Sequence, residues 1–278
     1  PLRSSAASDV YKRQFTCYSP GSLYCWGLFL QQAQRRPVIQ KIGIIGDVHS
    51  EHGRLRRALD WLEQQSVDAI VCTGDVADGR GCIEQSWRAL QSARVHTVSG
   101  NHDRWLLTDS VRHVAHAQCR AQVSEKGIEF LSRLPKVVRL ETLGGELRLC
   151  HGVAEDDMAK VWPGTEATPI RRSEELDEWL AESKGPSFVI NGHMHFRTLI
   201  DFERCFLINA GTLKGERPGI TLLDMHARQV AGFNLLDDGR VCATQRYSLD
   251  GRSDRTVWTS TAAFDGRWRP ISMHRRGH

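Results

Sequence analysis

Five short segments of the sequence each end an apolar run with a glycine beside a carboxylate, an imidazole or an amide. They read IIGDVH, VCTGD, TVSGNHD, LRLCHG and VINGHMH. Asp, Asn and Gly are common turn residues, and a lone histidine is more often satisfied by a nearby backbone group than by a metal. Independent turns have no reason to repeat imidazoles, however, and five of the twelve histidines lie in these segments. We therefore interpret the five segments as parts of one site.

Oxygen and imidazole donors make up this set, without any thiolate. The side chains are Asp47, His49, Asp75, Asn101, His102, His151, His193 and His195. Residues two apart, as in the pairs Asp47–His49 and His193–His195, can face one side of an extended segment. Such ligands suit Mn²⁺, Fe or Zn²⁺ rather than a Cys-rich structural zinc site. Seven ligands from these eight side chains exceed what one ion needs, whereas two ions that share a bridging carboxylate would use all seven, and such a pair stabilises in-line displacement at phosphorus.

The elements that position these residues follow from hydrophobic periodicity. Buried strands are predicted at 41–47, 68–75 and 94–100, and amphipathic helices at 52–65 and 81–93. This alternation indicates βαβ units and a mostly parallel sheet, and ligands bind at the carboxyl edge of such a sheet. Glycines at the strand ends would allow positive φ and a close backbone approach.

The second half of the sequence is richer in hairpins. A hairpin is predicted at 136–152, a helix at 171–184 and a strand at 187–193, followed by two strand pairs that turn near Glu203 and Ala227. The mixture of parallel and antiparallel pairing places the chain in the α/β class with mixed sheets.

In their order along the chain, the motifs resemble those of the calcineurin-like metallophosphoesterase superfamily, which are DxH, GDxxD, GNH(D/E), a lone His and GHxH. They stand here as Asp47-Val48-His49, Gly74-Asp75-Val76-Ala77-Asp78, Gly100-Asn101-His102-Asp103, His151 and Gly192-His193-Met194-His195. The resemblance covers roughly residues 41–236. It implies a four-layer αββα sandwich and a centre of two divalent metals, with Mn²⁺ foremost and Fe, Zn²⁺ or Ni²⁺ as alternatives.

The resemblance also implies a role for each residue. Asp47, His49 and His195 would bind one ion, Asn101, His151 and His193 would bind the other, and Asp75 would bridge the two. A hydroxide held between the ions would attack the phosphorus of a small-molecule phosphoester. His102 matches the family's catalytic histidine, which stabilises or protonates the leaving alkoxide. Asp78 matches the carboxylate that supports this histidine in the protein serine/threonine phosphatases, and Asp103 either anchors the turn or orients His102.

Departures from the pattern narrow the subfamily. Protein phosphatases of this superfamily have DRG after the second motif, with an arginine that binds phosphate, whereas this chain has Asp78-Gly79-Arg80. The segment INAGTLKGERPG at 208–219 is similar instead to a block of the small bacterial phosphodiesterase branch, with Ala210 where proline is usual. We therefore expect a compact phosphomonoesterase or phosphodiesterase that acts on a small molecule or a nucleotide.

Several further residues are candidates for substrate contact. Arg80, Arg104 and Lys214 could contact the phosphate, although exposed cations are usually only solvated surface. The segment 152–172 has no clear period and joins two metal-ligand strands, as lids and specificity loops do. Trp162 within it either stacks on an aromatic group of the substrate or packs against the domain.

Two other functions compete with small-molecule hydrolysis. Some members of this fold, such as the retromer subunit, bind partner proteins after losing metal ligands or the catalytic histidine, but every one of these residues is present here. A nuclease of the same superfamily is disfavoured by charge, because residues 41–265 hold 28 basic against 32 acidic residues. A broad nucleic-acid surface needs clustered Lys and Arg on the folded body, so nucleic acid is not the expected partner.

Composition places the chain among ordinary globular proteins. Charged residues are 25% and hydrophobic residues 40% of the 278 residues, which is enough for a full core. The eight cysteines lie singly, which predicts core positions in a reducing, cytoplasmic setting. The apolar stretch Leu23 to Leu30 is far shorter than the ~20 residues of a membrane span, so no membrane partner is expected.

The pattern also predicts the domain boundaries. Residues 1–40 are predicted to be an extension outside the domain, and residues 1–14 resemble translated adapter sequence. The metallophosphoesterase domain is predicted at 41–250. Residues 251–278 have little pattern and are predicted to form a loose C-terminal tail.

Overall fold

The computed structural model describes residues 38–274, which belong to one compact unit that begins at Val38. The predictions for residues 1–37 lie outside the described residues. Two β-sheets, of six and seven strands, form the centre of this unit. Both sheets combine parallel and antiparallel neighbours, as predicted.

In chain order the strands are β1 (Lys41–Ile45), β2 (Ala69–Cys72), β3 (His96–Thr97), β4 (Val137–Thr142), β5 (Gly145–Cys150), β6 (Phe188–Asn191), β7 (Arg197–Phe202), β8 (Phe206–Ala210), β9 (Gly219–Asp224), β10 (Gln229–Leu235), β11 (Val241–Ser248), β12 (Val257–Trp258) and β13 (Ile271–Ser272). The helices are α1 (His52–Gln64), α2 (Ile83–Ser92), α3 (Asn101–Leu107), α4 (Glu125–Ser132) and α5 (Glu174–Ala181). Short 3₁₀ turns occur at Arg120–Gln122 and Thr261–Ala263.

The predicted parallel strands lie side by side in the first sheet. Its strand order is β11-β10-β9-β1-β2-β3, with β1, β2 and β3 parallel to one another and β9 to β11 antiparallel. The second sheet has the order β12-β7-β8-β6-β5-β4, in which β5, β6 and β8 are parallel. Strand β3 is shorter than predicted, and three residues separate it from α3, which begins at Asn101.

Three buried clusters separate the layers. Ile42 and Ile44 of β1 pack in one cluster with Leu149 and Ile190 of the second sheet, which joins the two sheets. Ile45, on the opposite face of β1, packs in a cluster with residues of α1 and α2, as the two-residue period of a strand requires. A third cluster places α5 and the C-terminal segment on the outer face of the second sheet. The fold is the predicted four-layer sandwich.

The sequences of the helices explain which face is buried and where two of the helices begin. The predicted stripe Leu55, Ala58, Leu59 and Leu62 is the buried face of α1. The hydroxyls of Ser124 and Ser173 accept hydrogen bonds from the amides of Gly127 and Leu176, each at 3.2 Å, and so cap the first turns of α4 and α5. None of the helices within residues 38–274 is long and apolar enough to cross a membrane.

Residues 251–274 do not form the loose tail that the sequence predicts. Strands β12 and β13 both add to the outer edge of β7, and the side chains of Trp258, Phe264 and Trp268 are buried. Arg255 anchors the segment through an ion pair of 2.6 Å with Asp201. The prediction was wrong because these aromatic residues follow neither helical nor strand spacing, so periodicity does not detect their burial.

Three of the six described cysteines lie in the hydrophobic core, as predicted, whereas Cys82 and Cys242 are half-buried and Cys119 is exposed, so the prediction is wrong for those three. Cys72 and Cys150 are buried at the ends of β2 and β5, and Cys205 is buried beside β8. Burial raises the pKa of the thiols of Cys150 and Cys205 to about 12, so neither is a reactive thiolate at neutral pH. Their role is to fill the core.

Candidate metal centre

The carboxyl ends of five strands bring the predicted donors together where the edges of the two sheets meet. Three of these strands belong to the first sheet and two to the second. The residues that follow them are Asp47 and His49 after β1, Asp75 after β2, Asn101 and His102 after β3, His151 after β5, and His193 and His195 after β6. The convergence expected from the sequence is therefore present.

The backbone turns sharply at several of these donors. The φ angles of His49, Asp75, His193 and His195 are 44°, 45°, 63° and 55°. This left-handed conformation costs a non-glycine residue roughly 1–2 kcal/mol, and strain of this kind collects at functional sites. The pairs Asp47–His49 and His193–His195 are thus placed by turns, and the extended segments assumed from their spacing are wrong.

Four residues form one group of potential ligands. Asp47, His49, Asp75 and His195 place one ligand atom each within 4.8 Å of one another. The Nε2 atom of His49 lies 3.0 Å from Nε2 of His195 and 3.8 Å from Oδ2 of Asp75. Nε2 of His195 lies 3.2 Å from Oδ2 of Asp47. His195 is 40% exposed, so the group is open to solvent on that side.

A second group lies on the other side of Asp75. The Nε2 atom of His151 is 2.9 Å from Oδ1 of Asn101 and 3.4 Å from Oδ2 of Asp75. The His193 ring lies 5.3 Å from the His151 ring. Oδ2 of Asp75 is therefore near His49 and near His151, a position from which one carboxylate could contact cations in both groups.

Backbone carbonyls fix which ring nitrogens face the centre. Nδ1 of His49 lies 3.0 Å from the carbonyl oxygen of Asp78, and Nδ1 of His151 lies 2.7 Å from that of Thr73. A carbonyl only accepts, so each Nδ1 carries the proton and donates, and each Nε2 presents a lone pair. The lone pair of His151 Nε2 thus faces Oδ1 of Asn101, another acceptor, and a cation between them would relieve this opposition.

A further observation supports the fit of cations to this donor set. Nε2 of His193 is buried and has no hydrogen-bond partner among the described residues, which is rare for a buried polar atom. Carboxylate, amide and imidazole donors together suit Mn²⁺, Fe or Zn²⁺. The residues present thus fit divalent cations.

Burial and neighbouring charges shift the pKa values of several groups in the centre. Burial alone would raise the pKa of Asp47, but the attraction of His151 and His195 outweighs it and lowers that pKa well below its usual range. Burial, together with the charges of Asp47 and Asp103, raises the pKa of Asp75. Burial also lowers the pKa of His49 to about 3, which keeps its ring neutral and able to bind a metal.

His102 stands beside these groups and is held by Asp78. Nδ1 of His102 lies 2.7 Å from Oδ2 of Asp78, and its Nε2 lies 4.0 Å from Oδ2 of Asp75. Arg112 donates to both oxygens of Asp78, at 2.6 and 2.7 Å. Burial opposes ionisation of Asp78, but the hydrogen bonds from His102 and Arg112 outweigh it and lower its pKa. Asp78 therefore stays ionised and fixes His102 through Nδ1.

Asp103 serves the backbone. Its carboxylate accepts hydrogen bonds from the amides of Val76 and Ala77 at 2.8 and 3.0 Å, and from that of Gly100 at 3.0 Å. These bonds tie the loop after β2 to the start of α3. Of the two roles considered for Asp103, anchoring matches this geometry.

Two glycines leave room for the carboxylates. A Cβ atom at Gly100 would lie 2.1 Å from Oδ1 of Asp75, and one at Gly192 would lie 2.1 Å from Oδ1 of Asp47. Neither glycine has positive φ. Their function is therefore the close approach alone, while the left-handed turns belong to the donors themselves.

The other candidates for substrate contact take different places. Arg104 donates to Asp157 at 2.7 and 2.8 Å, and Lys136 donates to the same carboxylate at 2.7 Å. This ion pair, in which only Asp157 is buried, connects the segment 152–172 to α3. Trp162 is only 9% exposed and packs edge-on against Trp268, so packing is its role.

The sequence reasoning missed two residues of the loop between α3 and α4. Arg112 holds Asp78, and Gln118 accepts hydrogen bonds through Oε1 from the Ser50 hydroxyl and the Asp78 amide, at 3.0 and 3.1 Å. The loop has no hydrophobic period, and arginine and glutamine are unremarkable on a surface. Nothing in one sequence distinguishes them.

Two mixed sheets with a buried carboxylate–imidazole cluster at their joined edge define a candidate metal-binding α/β protein. Comparison with known families gives its class. The sequence model of the calcineurin-like phosphoesterase superfamily domain matches residues 41–228. The chain belongs to this superfamily, as the five motifs predict.

Individual relatives are distant. The chain is similar to the uncharacterized protein MJ0912 of Methanocaldococcus jannaschii, with 22% identity over 207 residues, 64% of this chain and 78% of that protein. Its fold is similar to the hypothetical protein PH1004 of Pyrococcus horikoshii OT3, with a TM-score of 0.58, 11% identity, and coverage of 70% and 87% of the two chains. A metallophosphoesterase from Sphaerobacter thermophilus matches with a TM-score of 0.50, 17% identity, and coverage of 75% and 89%. These likenesses show the fold.

Proposed function

We propose that the chain is a metal-dependent phosphoesterase that hydrolyses a small-molecule phosphomonoester or phosphodiester at this centre. The observation that carries the proposal is the convergence of carboxylate, amide and imidazole side chains from both sheets around Asp75. Two divalent cations, Mn²⁺ foremost, would neutralise charge on the phosphate and lower the pKa of a water.

The proposal assigns the ligands in two sets. Asp47, His49 and His195 hold one cation, Asn101, His151 and His193 hold the other, and Asp75 contacts both. The short distances within each set and the position of Oδ2 of Asp75 between them support this division.

His102 is the proposed general acid. Its Nδ1 proton is held by Asp78, so the proton that can move is the one on Nε2, which lies on the side of the cluster. The oxygen of a water forms a bond to phosphorus and loses a proton to solvent, the bond between phosphorus and the leaving oxygen breaks, and the leaving oxygen takes the proton from Nε2. A histidine in this role raises the rate by about 10²–10⁴-fold.

A substrate panel tests the function. The full chain would be assayed with bis(4-nitrophenyl) phosphate, 4-nitrophenyl phosphate, a cyclic nucleotide and a dinucleoside polyphosphate, each with Mn²⁺, Zn²⁺ and Mg²⁺. We expect hydrolysis that depends on the added cation and that disappears in Asp47→Asn. His226→Ala, a change at an exposed turn, is the matched control and should keep full activity. Stable metal binding without hydrolysis of any substrate would refute the proposal in favour of a protein-binding role.

A further inference from the structure

An open cavity of about 910 Å³ has Phe196, the residue that follows His195, in its wall. It is lined by residues from five parts of the chain, including the segment 152–172, β11 and the C-terminal segment. Arginine and aromatic side chains dominate its wall, and they are Phe196, Arg217, Tyr247, Arg267, Trp268 and Arg269.

The arginines of this wall have an uncompensated charge. Arg217, Arg267 and Arg269 are exposed, and none of their guanidinium groups has a hydrogen bond or ion pair within residues 38–274. Glu166 is the one acidic residue among the described residues of the lining, and it pairs with none of them. Like charges that share a cavity repel one another, so an anionic ligand would relieve the repulsion.

The aromatic part of the wall is rigid. Trp162 contacts both Trp268 and Phe196 edge-on, with ring centroids 5.0 and 5.9 Å apart. Trp268 is buried, whereas Phe196 is half-buried and offers part of its ring to the cavity. Aromatic rings next to guanidinium groups suit a flat organic group that carries phosphate.

Two chain connections link the wall of the cavity to the candidate metal ligands. Phe196, in the wall, directly follows His195. Arg217 belongs to the segment after β8, whose first residues bind the backbone of Asp47. The hydroxyl of Thr212 and the amide of Leu213 donate to the carbonyl oxygen of Asp47 at 2.9 and 2.8 Å. A substrate at the centre would therefore have the cavity within reach of its other end.

We propose that this arginine cavity binds a second phosphate group on the part of the substrate that is not hydrolysed, and that the substrate is a nucleotide ester with two separate phosphates. The inference rests on the proposed function, because it assumes that the metal centre binds the first phosphate. Guanidinium groups bind phosphate through paired, charge-assisted hydrogen bonds, and the nucleoside fits the aromatic part of the wall.

Two chromogenic esters with one difference test the inference. The 4-nitrophenyl ester of thymidine 5′-monophosphate has one phosphate, and the same ester with a 3′-phosphate has two. For the full chain with Mn²⁺, we expect kcat/KM to favour the second ester by about tenfold or more, mostly through KM, since binding remote from the reacting atoms lowers KM. The double variant Arg267→Gln/Arg269→Gln should lose most of this preference.

The matched control removes the same charge elsewhere. Arg56 and Arg94 are exposed and line a different cavity, between α1 and α2. Arg56→Gln/Arg94→Gln should keep the preference, and an equal loss in both double variants would overturn the inference in favour of a general charge effect. Equal KM values for the two esters in the unchanged protein would also overturn it.

A binding measurement separates this inference from the proposed function. Thymidine 3′,5′-bisphosphate would be titrated calorimetrically into the unchanged protein and into both double variants. In one outcome, only Arg267→Gln/Arg269→Gln weakens binding of the bisphosphate and no ester is hydrolysed. That result would support phosphate binding in the cavity and reject the catalytic function. If both esters are hydrolysed and all three proteins bind the bisphosphate equally well, the proposed function stands and phosphate binding in the cavity is rejected. If a single-stranded oligonucleotide binds more tightly than the bisphosphate, the inferred nucleotide ligand is wrong and the cavity binds nucleic acid.

Discussion

Nδ1 of His102 lies 2.7 Å from Oδ2 of Asp78, whose side chain is fully buried. This contact fixes the ring and leaves Nε2 as the nitrogen that can donate a proton to the substrate. Under the proposed function, the contribution of His102 to the rate should depend on how basic the leaving group is.

His102→Ala should therefore reduce kcat mainly for esters with basic leaving groups. We expect a loss of about 10²–10⁴-fold with an alkyl ester and a much smaller loss with a 4-nitrophenyl ester, whose leaving group needs little protonation. Steady-state kinetics on both esters and elemental analysis would be measured together. Unchanged turnover of the alkyl ester, with full metal content, would exclude His102 as the acid.

Arg112 should act through Asp78 rather than on the substrate. Its guanidinium is 9% exposed and binds both carboxylate oxygens of Asp78. We expect Arg112→Gln to reduce kcat about tenfold, and Asp78→Asn to reduce it at least as much. Because the two residues share one contact, the double variant should resemble Asp78→Asn alone. Losses that multiply in the double variant would show that Arg112 works independently.

Asp75→Asn should impair both cation sites at once. Oδ2 of Asp75 lies near His49 and near His151, and the amide has the same shape but a weaker donor. Elemental analysis after loading with Mn²⁺ should show both equivalents reduced. One fully retained equivalent would place Asp75 in a single site.

Gly100→Ala should disrupt the centre without changing any donor. The added Cβ would lie 2.1 Å from Oδ1 of Asp75 and 2.7 Å from its amide nitrogen, so the carboxylate must move. We expect loss of metal and of activity. Gly53→Ala is the control, because no atom lies within 4 Å of a Cβ there, and alanine within α1 should raise the free energy of unfolding by roughly 0.5–1 kcal/mol. Full metal binding by Gly100→Ala would contradict the close approach.

His274 should make stability depend on pH. Its Nε2 accepts a hydrogen bond of 2.9 Å from the amide of Arg197. Burial, followed by the charges of Arg197 and Arg217, lowers its pKa to about 4. The neutral ring thus stabilises the fold fully above pH 6.5, and this contribution is lost as the pH falls from 6.5 towards 4.

Replacement of His274 by glutamine tests that window. An amide oxygen can accept from Arg197 but does not titrate, so the melting temperature of His274→Gln should fall less between pH 6.5 and 4 than that of the unchanged protein. His226→Gln, at an exposed turn, is the control and should follow the unchanged protein. Parallel curves for all three proteins would contradict a buried neutral His274.

The features that could be predicted from the sequence are those that depend on residue type and on the order of the segments along the chain. Strand ends with Asp, Asn and His could be located because buried strands are continuous apolar runs, and parallel strands carry their ends to one edge. The four layers followed from the family resemblance. These predictions used local pattern and needed no knowledge of side-chain direction.

Features that depend on tertiary context could not be predicted from the sequence. The left-handed turns at His49 and His195 are strained conformations that only the folded surroundings maintain. Arg112 is brought to Asp78 across 34 residues of chain. The burial of Trp258 and Trp268 follows from an edge of β7 that a single sequence does not reveal.

The donors are divided between the two sheets, with Asp47, Asp75 and Asn101 on one side and the remaining histidines largely on the other. A cation that binds donors from both sheets would link the two halves of the sandwich. Its affinity then includes the free energy of holding the two halves together, because a ligand of the native state stabilises that state by mass action. We expect a substitution between the two sheets to weaken cation affinity. A chelator that removes the cation should lower the stability of the whole fold.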